Sequence, residues 1–177
     1  MSHNSIKAQA ENKLKIADHL LSTTYALVKD PKLLVSVIDA LYTAMDLSIN
    51  TILEFEMSEI AKKALNNQAI SGHDQKHAFD KNFKTLDYKT HEKLELFRRK
   101  IVTKYALDQD MVDFYAELKS TLDTHRKSDV EFTKKEKFVI SDEEYNLKTL
   151  TYDDVKKKYK LARSYVDQIF KIIEKYE

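Results

Sequence analysis

The feature that most constrains this chain is its single glycine, Gly72, among 177 residues. Glycine supplies the positive φ angles and the close backbone approach that phosphate loops, dinucleotide-binding turns and many tight β-turns require. One glycine therefore excludes most nucleotide-binding α/β folds and the turn-rich sandwiches and barrels. Because 42% of the residues are apolar, the chain can bury a substantial core, and the composition favours a helical protein.

The charge balance and the absence of cysteine exclude further classes. Without cysteine there are no disulfides, thiolate metal sites or thiol nucleophiles. The 30 basic and 29 acidic residues leave a net charge of +1, so any binding of nucleic acid or anionic lipid must be local. Residues 1–11 lack the apolar run of an export signal, and Asp39 and Asp46 interrupt the most apolar stretch, residues 33–49. We expect a cytoplasmic protein with no membrane contact.

Apolar residues recur every three or four positions along most of the chain, which predicts helices. A first stripe covers residues 6–28, and Asp30 and Pro31 then start a second helix that runs to about residue 67. Other stripes predict helices at residues 94–105, 111–125 and 155–173, with a short helix at 74–83. The sequence therefore predicts one all-α domain over residues 1–177, an antiparallel up-and-down bundle of five or six helices.

The helical pattern fails shortly before the last predicted helix. The apolar run from Phe138 to Ile140 is followed by a polar turn and then by Leu147 and Leu150. This pattern is typical of a small two-stranded hairpin. We predict a β-hairpin-like insertion at about residues 132–150, with Thr151 opening the last helix.

A polar stripe interrupts the apolar second helix. Asp39, Thr43, Asp46 and Asn50 are spaced by four, three and four positions, so they share one helix face. Carboxylates on so apolar a helix must be paired, hydrogen-bonded or solvated, because an unpaired buried charge is strongly unfavourable. Two interpretations stay open. In the first, the stripe lines a cleft, with Asp39, Asp46 and Asn50 as binding residues, or orients a catalytic base. In the second, the stripe follows an exposed edge of the helix or bridges to a neighbouring helix.

A second group of candidate residues surrounds Arg126, one of only four arginines. His125 precedes it, and Asp129 and Glu131 follow it closely. A guanidinium can hold a carboxylate or a phosphate in two-point contact. We expect Arg126 to face the acidic groups of the polar stripe and to form a binding pocket that includes Asp129. An ion pair without any ligand is the alternative.

The last helix carries a run of lysines at residues 156–158 and 160, with Tyr152 and Tyr159 nearby. Contact with an RNA backbone, through Lys156 and Lys157, is one interpretation, and a solvated helix face is the other.

His73 and His77 are four residues apart and can share a helix face. Two ligands do not make a metal site, and the paired Glu-x-x-His motif of di-iron bundles is absent from the sequence. We expect neither a metal nor a cofactor.

Three stretches of the chain resemble the HEPN helical domains of archaea, bacteria and some higher eukaryotes. Residues 37–49 look like that family's small-residue helix, residues 122–130 are similar to the helix end that carries its arginine, and residues 153–173 are similar to its closing helix. The family's motif is an arginine, usually followed by a polar residue, with a histidine several positions on. Arg126 stands at the arginine position, but Glu131 stands where the histidine is expected, and His125 precedes the arginine.

The resemblance implies a homodimer that binds a nucleotide, RNA or a partner protein, and the family often works beside a small nucleotidyltransferase. Its ribonuclease members act without metal, typically at a dimer interface, where the RNA 2′-hydroxyl attacks the adjacent phosphate. Glutamate, with a pKa of about 4.3, shuttles protons at pH 7 less well than histidine at about 6.5. We therefore predict a non-catalytic binding module. The alternatives are a metal-independent ribonuclease using Arg126 with His125 or Glu131, and a purely structural interaction protein.

Overall fold

A computed structural model describes residues 3–68, 90–142 and 146–176 of the chain. These residues form five helices: α1 (residues 3–28), α2 (Leu33–Gln68), α3 (residues 90–105), α4 (Asp110–Lys127) and α5 (Tyr152–Tyr176). A small antiparallel sheet of three strands precedes α5: β1 (Val130–Lys134), β2 (Lys137–Ser141) and β3 (Leu147–Thr151). The predicted mainly helical fold with a β insertion before the last helix is confirmed. The predicted helix at 74–83 and the pair His73 and His77 lie outside the described residues.

Two of the helices contain a π-helical turn and end at a residue with a left-handed backbone. In α1 the order is His3–His19, the π turn Leu20–Thr24 and Tyr25–Val28, and in α3 it is Thr90–Phe97, the π turn Arg98–Val102 and Thr103–Tyr105. The residues that follow them, Lys29 and Ala106, both have a φ of 51°. The next helix, α2, is preceded by the predicted cap, because the Lys32 amide donates a hydrogen bond of 3.0 Å to Asp30 Oδ1.

The central helix is α2, which packs against α1, α4 and α5. It runs parallel to α3, since Asp46 and Glu56 of α2 form ion pairs with Lys93 and Lys104 of α3 in the same order along both helices. The predicted bundle has a helix at 74–83 between these two in the chain, and in an up-and-down bundle two helices separated by one helix run in the same direction. The parallel arrangement of α2 and α3 therefore does not contradict the predicted alternation, and residues 74–83 lie outside the described residues.

Helices α3 and α4 are antiparallel, as expected from the short connection between them. Lys93, near the start of α3, lies 3.4 Å from the hydroxyl of Tyr115, whereas Arg98, further along α3, pairs at 3.3 Å with the earlier residue Asp113. Both contacts tie α3 to α4.

The sheet has one strand more than the sequence predicted, and it covers residues 130–151 rather than 132–150. In β2, the central strand, Phe138 and Ile140 point into the core, whereas Val139 lies on the outer face opposite Phe132 of β1. β1 was not predicted because four of its five residues are exposed and it lacks the regular apolar alternation of a half-buried strand. The two-residue turn between β1 and β2 contains Lys135, with a φ of 57°.

The most apolar part of α2, Leu33–Ile60, is long and apolar enough to cross a membrane by length and composition alone. However, 56% of its most apolar window is buried inside the protein. This burial is typical of the core helix of a soluble bundle.

Candidate functional site

Arg126 does not form the pocket that the sequence predicted. Its side chain is 63% exposed, and Nη1 lies 3.8 Å from Asp123 Oδ1 on the same helix. Tyr115, which contacts Asp46, lies about 16 Å before Arg126 along α4 at 1.5 Å per residue. The expected pairing with Asp46 is therefore wrong, because Arg126 stands in the last turn of α4, where its long side chain extends into solvent.

The other acidic member of the polar stripe is also solvated. Asp39 is exposed, and within residues 3–68, 90–142 and 146–176 its carboxylate takes part in no ion pair. Thr43 Oγ1 donates to the Asp39 backbone carbonyl at 2.8 Å, so this contact stays within the helix. This end of the stripe follows the exposed edge of α2.

Asp46, in contrast, is at the centre of a polar cluster that joins three helices. It accepts hydrogen bonds from the Tyr115 hydroxyl at 2.5 Å and from Asn50 Nδ2 at 3.0 Å, and it pairs with Lys93. The Tyr42 and Tyr115 hydroxyls lie 3.2 Å apart. Burial, reinforced by the hydrogen bond to Asp46, raises the pKa of Tyr115 far above its usual value. Since its oxygens already have protein partners, Asp46 acts as a bridge between helices, and Asn50 supports it.

The fold brings His125 and Glu131 together. Their atoms Nδ1 and Oε1 lie 2.5 Å apart, and the two side chains are 38% and 25% exposed. The turn after α4 leads the chain back along β1, which places Glu131 on the inner face of the sheet beside the end of α4. A carboxylate on Nδ1 orients the imidazole and leaves Nε2 as the nitrogen that can exchange a proton. Asp129 lies in the connecting bend and is exposed.

The lysine run on α5 is divided between structural and solvent-exposed positions. Lys158 pairs with Glu117 of α4 at 2.5 Å and so helps to hold the two helices together. Lys157 and Lys160 are exposed. Lys156 is also exposed, and its Nζ lies 5.4 Å from the centroid of the Tyr152 ring, a cation–π distance.

Tyr152 belongs to a cleft that was not predicted from the sequence. Its ring stacks on that of Tyr25, with centroids 5.0 Å apart and an interplanar angle of 23°. The cleft beside this pair has a volume of about 160 Å³ and is lined by Leu21, Tyr25, Ala26, Lys29, Glu136 and Tyr152. It lies where the end of α1, the turn between β1 and β2, and the start of α5 meet.

Local sequence signals position the cleft residues. The Asp154 amide donates to Thr151 Oγ1 at 3.2 Å, which caps α5 and fixes Tyr152 at its first position. Tyr25 stands on the apolar stripe of α1, and burial, with the nearby negative charge of Glu136, raises its pKa. In the sequence, Tyr25 is only one position of the apolar stripe over residues 6–28. No local pattern connects it with Tyr152, which is distant in the chain.

The described residues offer no metal centre, because among them no group of three or more His, Cys, Asp or Glu side chains could hold an ion. Comparison of the chain with protein-family models, with curated proteins and with solved structures found no match. The resemblance to HEPN domains therefore stays a prediction.

Proposed function

We propose that this protein is a non-catalytic, cytoplasmic module that binds a nucleotide or a short segment of single-stranded RNA. The observation that carries the proposal is the stacked pair of Tyr25 and Tyr152 beside an open cleft, with Lys29 at the cleft and Lys156 over the Tyr152 ring. The homodimer and the nucleotidyltransferase partner that the HEPN resemblance implies are further predictions.

The chemistry of the cleft suits a base with an attached phosphate. Its volume of about 160 Å³ is similar to that of a cavity of about 150 Å³ that admits benzene, so it has room for one planar ring. Aromatic walls next to cationic side chains are typical of sites that bind single-stranded nucleic acid without strong sequence preference. Lys29 and Lys156 can neutralise phosphates, and the Glu136 carboxylate can accept a hydrogen bond from an exocyclic amino group.

The proposal is tested by titrating fluorescently labelled single-stranded RNA with the protein and measuring anisotropy over a range of salt concentrations. In the variant with both Lys29→Ala and Lys156→Ala, we expect weaker binding. The logarithm of the RNA-binding constant should also fall less steeply with the logarithm of the salt concentration, with a slope shallower by about 0.7 for each phosphate contact removed.

Lys175→Ala is the matched control, because Lys175 also lies over a tyrosine ring on α5, that of Tyr176, at 5.5 Å. This variant should bind RNA as the unmodified protein does. Equal loss in both variants, or the absence of any binding to RNA or to mononucleotides at low salt, would contradict the proposal.

A ribonuclease is the second candidate, favoured by the contact between His125 and Glu131. In this reaction the imidazole Nε2 would remove the proton from the RNA 2′-hydroxyl as the oxygen attacks the adjacent phosphorus. The bond to the 5′-oxygen breaks, that oxygen takes up a proton, and the products are a 2′,3′-cyclic phosphate and a 5′-hydroxyl. Arg126, close by and exposed, would offset the negative charge of the phosphorane.

Incubation with labelled single-stranded RNA at neutral pH without metal separates the two candidates. A ribonuclease must cleave the RNA and lose that cleavage in both His125→Ala and Arg126→Ala. Cleavage that persists in both variants comes from a contaminant. If the unmodified protein does not cleave, the binding module is retained.

A further inference from the structure

The edge of the sheet formed by β1 is a surface that the proposed function does not use. β1 is paired only with β2 among the described strands, in the order β1–β2–β3. Four of its five residues are exposed, including Phe132 and Val130. An exposed strand edge carries unpaired N–H and C=O groups that can pair with another strand.

The hydrogen-bond pattern of the sheet determines which groups face outward. The Asp142 amide donates a hydrogen bond to the Asn146 carbonyl at 3.1 Å, so the main-chain groups of residue 142 face β3. Because the direction of these groups alternates along a strand, those of residues 140 and 138 also bond toward β3. Residues 137, 139 and 141 therefore bond toward β1. Their partners on β1 are residues 134, 132 and 130, which leaves the main-chain groups of Glu131 and Thr133 facing outward.

Only one antiparallel register lets a second copy of β1 use all these outward groups. When Phe132 pairs with Phe132 of the other copy, each Glu131 pairs with a Thr133, and about four main-chain hydrogen bonds form. In a register centred on Glu131, Thr133 of each copy has no partner within the β1 strand of the other copy. In a register centred on Thr133, the same is true of Glu131.

The same register is complementary in charge. Asp129 directly precedes β1 and Lys135 directly follows it, and both residues are exposed. In this register Asp129 of one copy stands opposite Lys135 of the other. Because the dimer is two-fold symmetric, this ion pair forms twice. On the outer face, the two Phe132 rings become direct cross-strand neighbours, and the stem of Lys134 covers Val130 of the other copy.

We propose that two copies of this chain associate through antiparallel pairing of their β1 strands, centred on Phe132, to form a continuous six-stranded sheet. The seam brings the two Glu131 residues to diagonal positions on the inner face, with their Cα atoms about 7–8 Å apart. The His125 side chains that contact them are therefore close to the interface. The proposal does not depend on RNA binding by the cleft.

The first test measures mass by sedimentation equilibrium over a micromolar concentration series. The unmodified protein should pass from the 20.7 kDa monomer to the dimer as its concentration rises. Thr133→Pro removes an outward amide that β2 does not use, so it should raise the dissociation constant at least about tenfold without lowering the melting temperature appreciably. Thr149→Pro is the matched control, because Thr149 is exposed on the opposite edge strand, β3, and its amide also faces away from β2.

The second test uses charge reversal, which leaves the strand intact. Asp129→Lys and Lys135→Asp should each weaken the dimer, because each places like charges opposite one another. The variant with both changes should recover dimerisation, since the pairs re-form with reversed sign. Variants should be compared at low salt, where exposed pairs are least screened.

A monomer at every concentration would overturn the proposal. So would a dimer that Thr133→Pro leaves intact, or a dimer that the double charge reversal fails to restore after both single reversals have weakened it. Dimerisation lost equally in Thr133→Pro and Thr149→Pro would place the interface elsewhere and would also overturn it.

Discussion

The Tyr115 hydroxyl donates a hydrogen bond to the Asp46 carboxylate, with the two oxygens 2.5 Å apart, and this contact joins α4 to the central helix α2. Tyr115 is only 1% exposed, so its hydroxyl has exchanged water for protein partners. Lys93 brings α3 to the same carboxylate. One half-buried aspartate thus connects three helices.

We expect Tyr115→Phe to lower the free energy of unfolding by about 2 kcal/mol, because a hydrogen bond to a charged group is lost while the ring stays in place. Urea unfolding at pH 7 measures the change. Tyr176→Phe is the control, since Tyr176 is exposed at the end of α5, and it should change stability by less than about 0.5 kcal/mol. Equal effects of the two substitutions would contradict a stabilising role for the contact.

Tyr165 predicts how stability depends on alkaline pH. Burial, and then its hydrogen bond of 3.1 Å to Asp108, raises the pKa of Tyr165 to about 12 from the ordinary value of 10.0. Between these values the native state keeps a proton that the unfolded chain has lost. The stabilisation is therefore complete below about pH 10 and decreases as the pH rises toward 12, by up to about 1.4 kcal/mol per pH unit.

The measurement is urea unfolding at pH 9 and at pH 11 for the unmodified protein and for Tyr165→Phe. The variant should be less stable at pH 9 but should lose less stability between the two pH values, because it lacks one of the titrating groups. Tyr115 titrates in the same direction and remains in both proteins, so the difference between their slopes isolates Tyr165. Identical slopes would show that Tyr165 ionises as freely in the native state as in the unfolded chain.

The sequence predicted those elements whose signals are local. The stripe from Val155 to Ile173 gave α5, and the caps at Asp30 and Thr151 marked helix starts within about two residues. In each case the residues that form the pattern lie within a few helical turns of the residues whose structure they determine. A sequence pattern is sufficient where no distant partner has to be known.

The candidate site was predicted less well, because it depends on contacts between distant segments. Tyr25 and Tyr152 stack although they stand near opposite ends of the chain, and neither the spacing nor the composition around Tyr25 indicates this partner. The pairing of His125 with Glu131 required β1, a strand whose exposed residues give no apolar alternation. Arg126 was expected to pair with a carboxylate on α2, but the carboxylate that lies beside it is Asp123, one turn earlier on the same helix.

Ala106 ends α3 in the left-handed region, with a φ of 51°, where a β-carbon is unfavourable. We expect Ala106→Gly to raise the free energy of unfolding by about 0.5–1 kcal/mol, because glycine adopts this conformation without that steric cost. Ala116→Gly, inside α4, is the matched control and should lower it by about 1 kcal/mol. Urea unfolding of both variants measures whether each substitution raises or lowers the free energy of unfolding. Destabilisation by both would mean that position 106 carries no such strain.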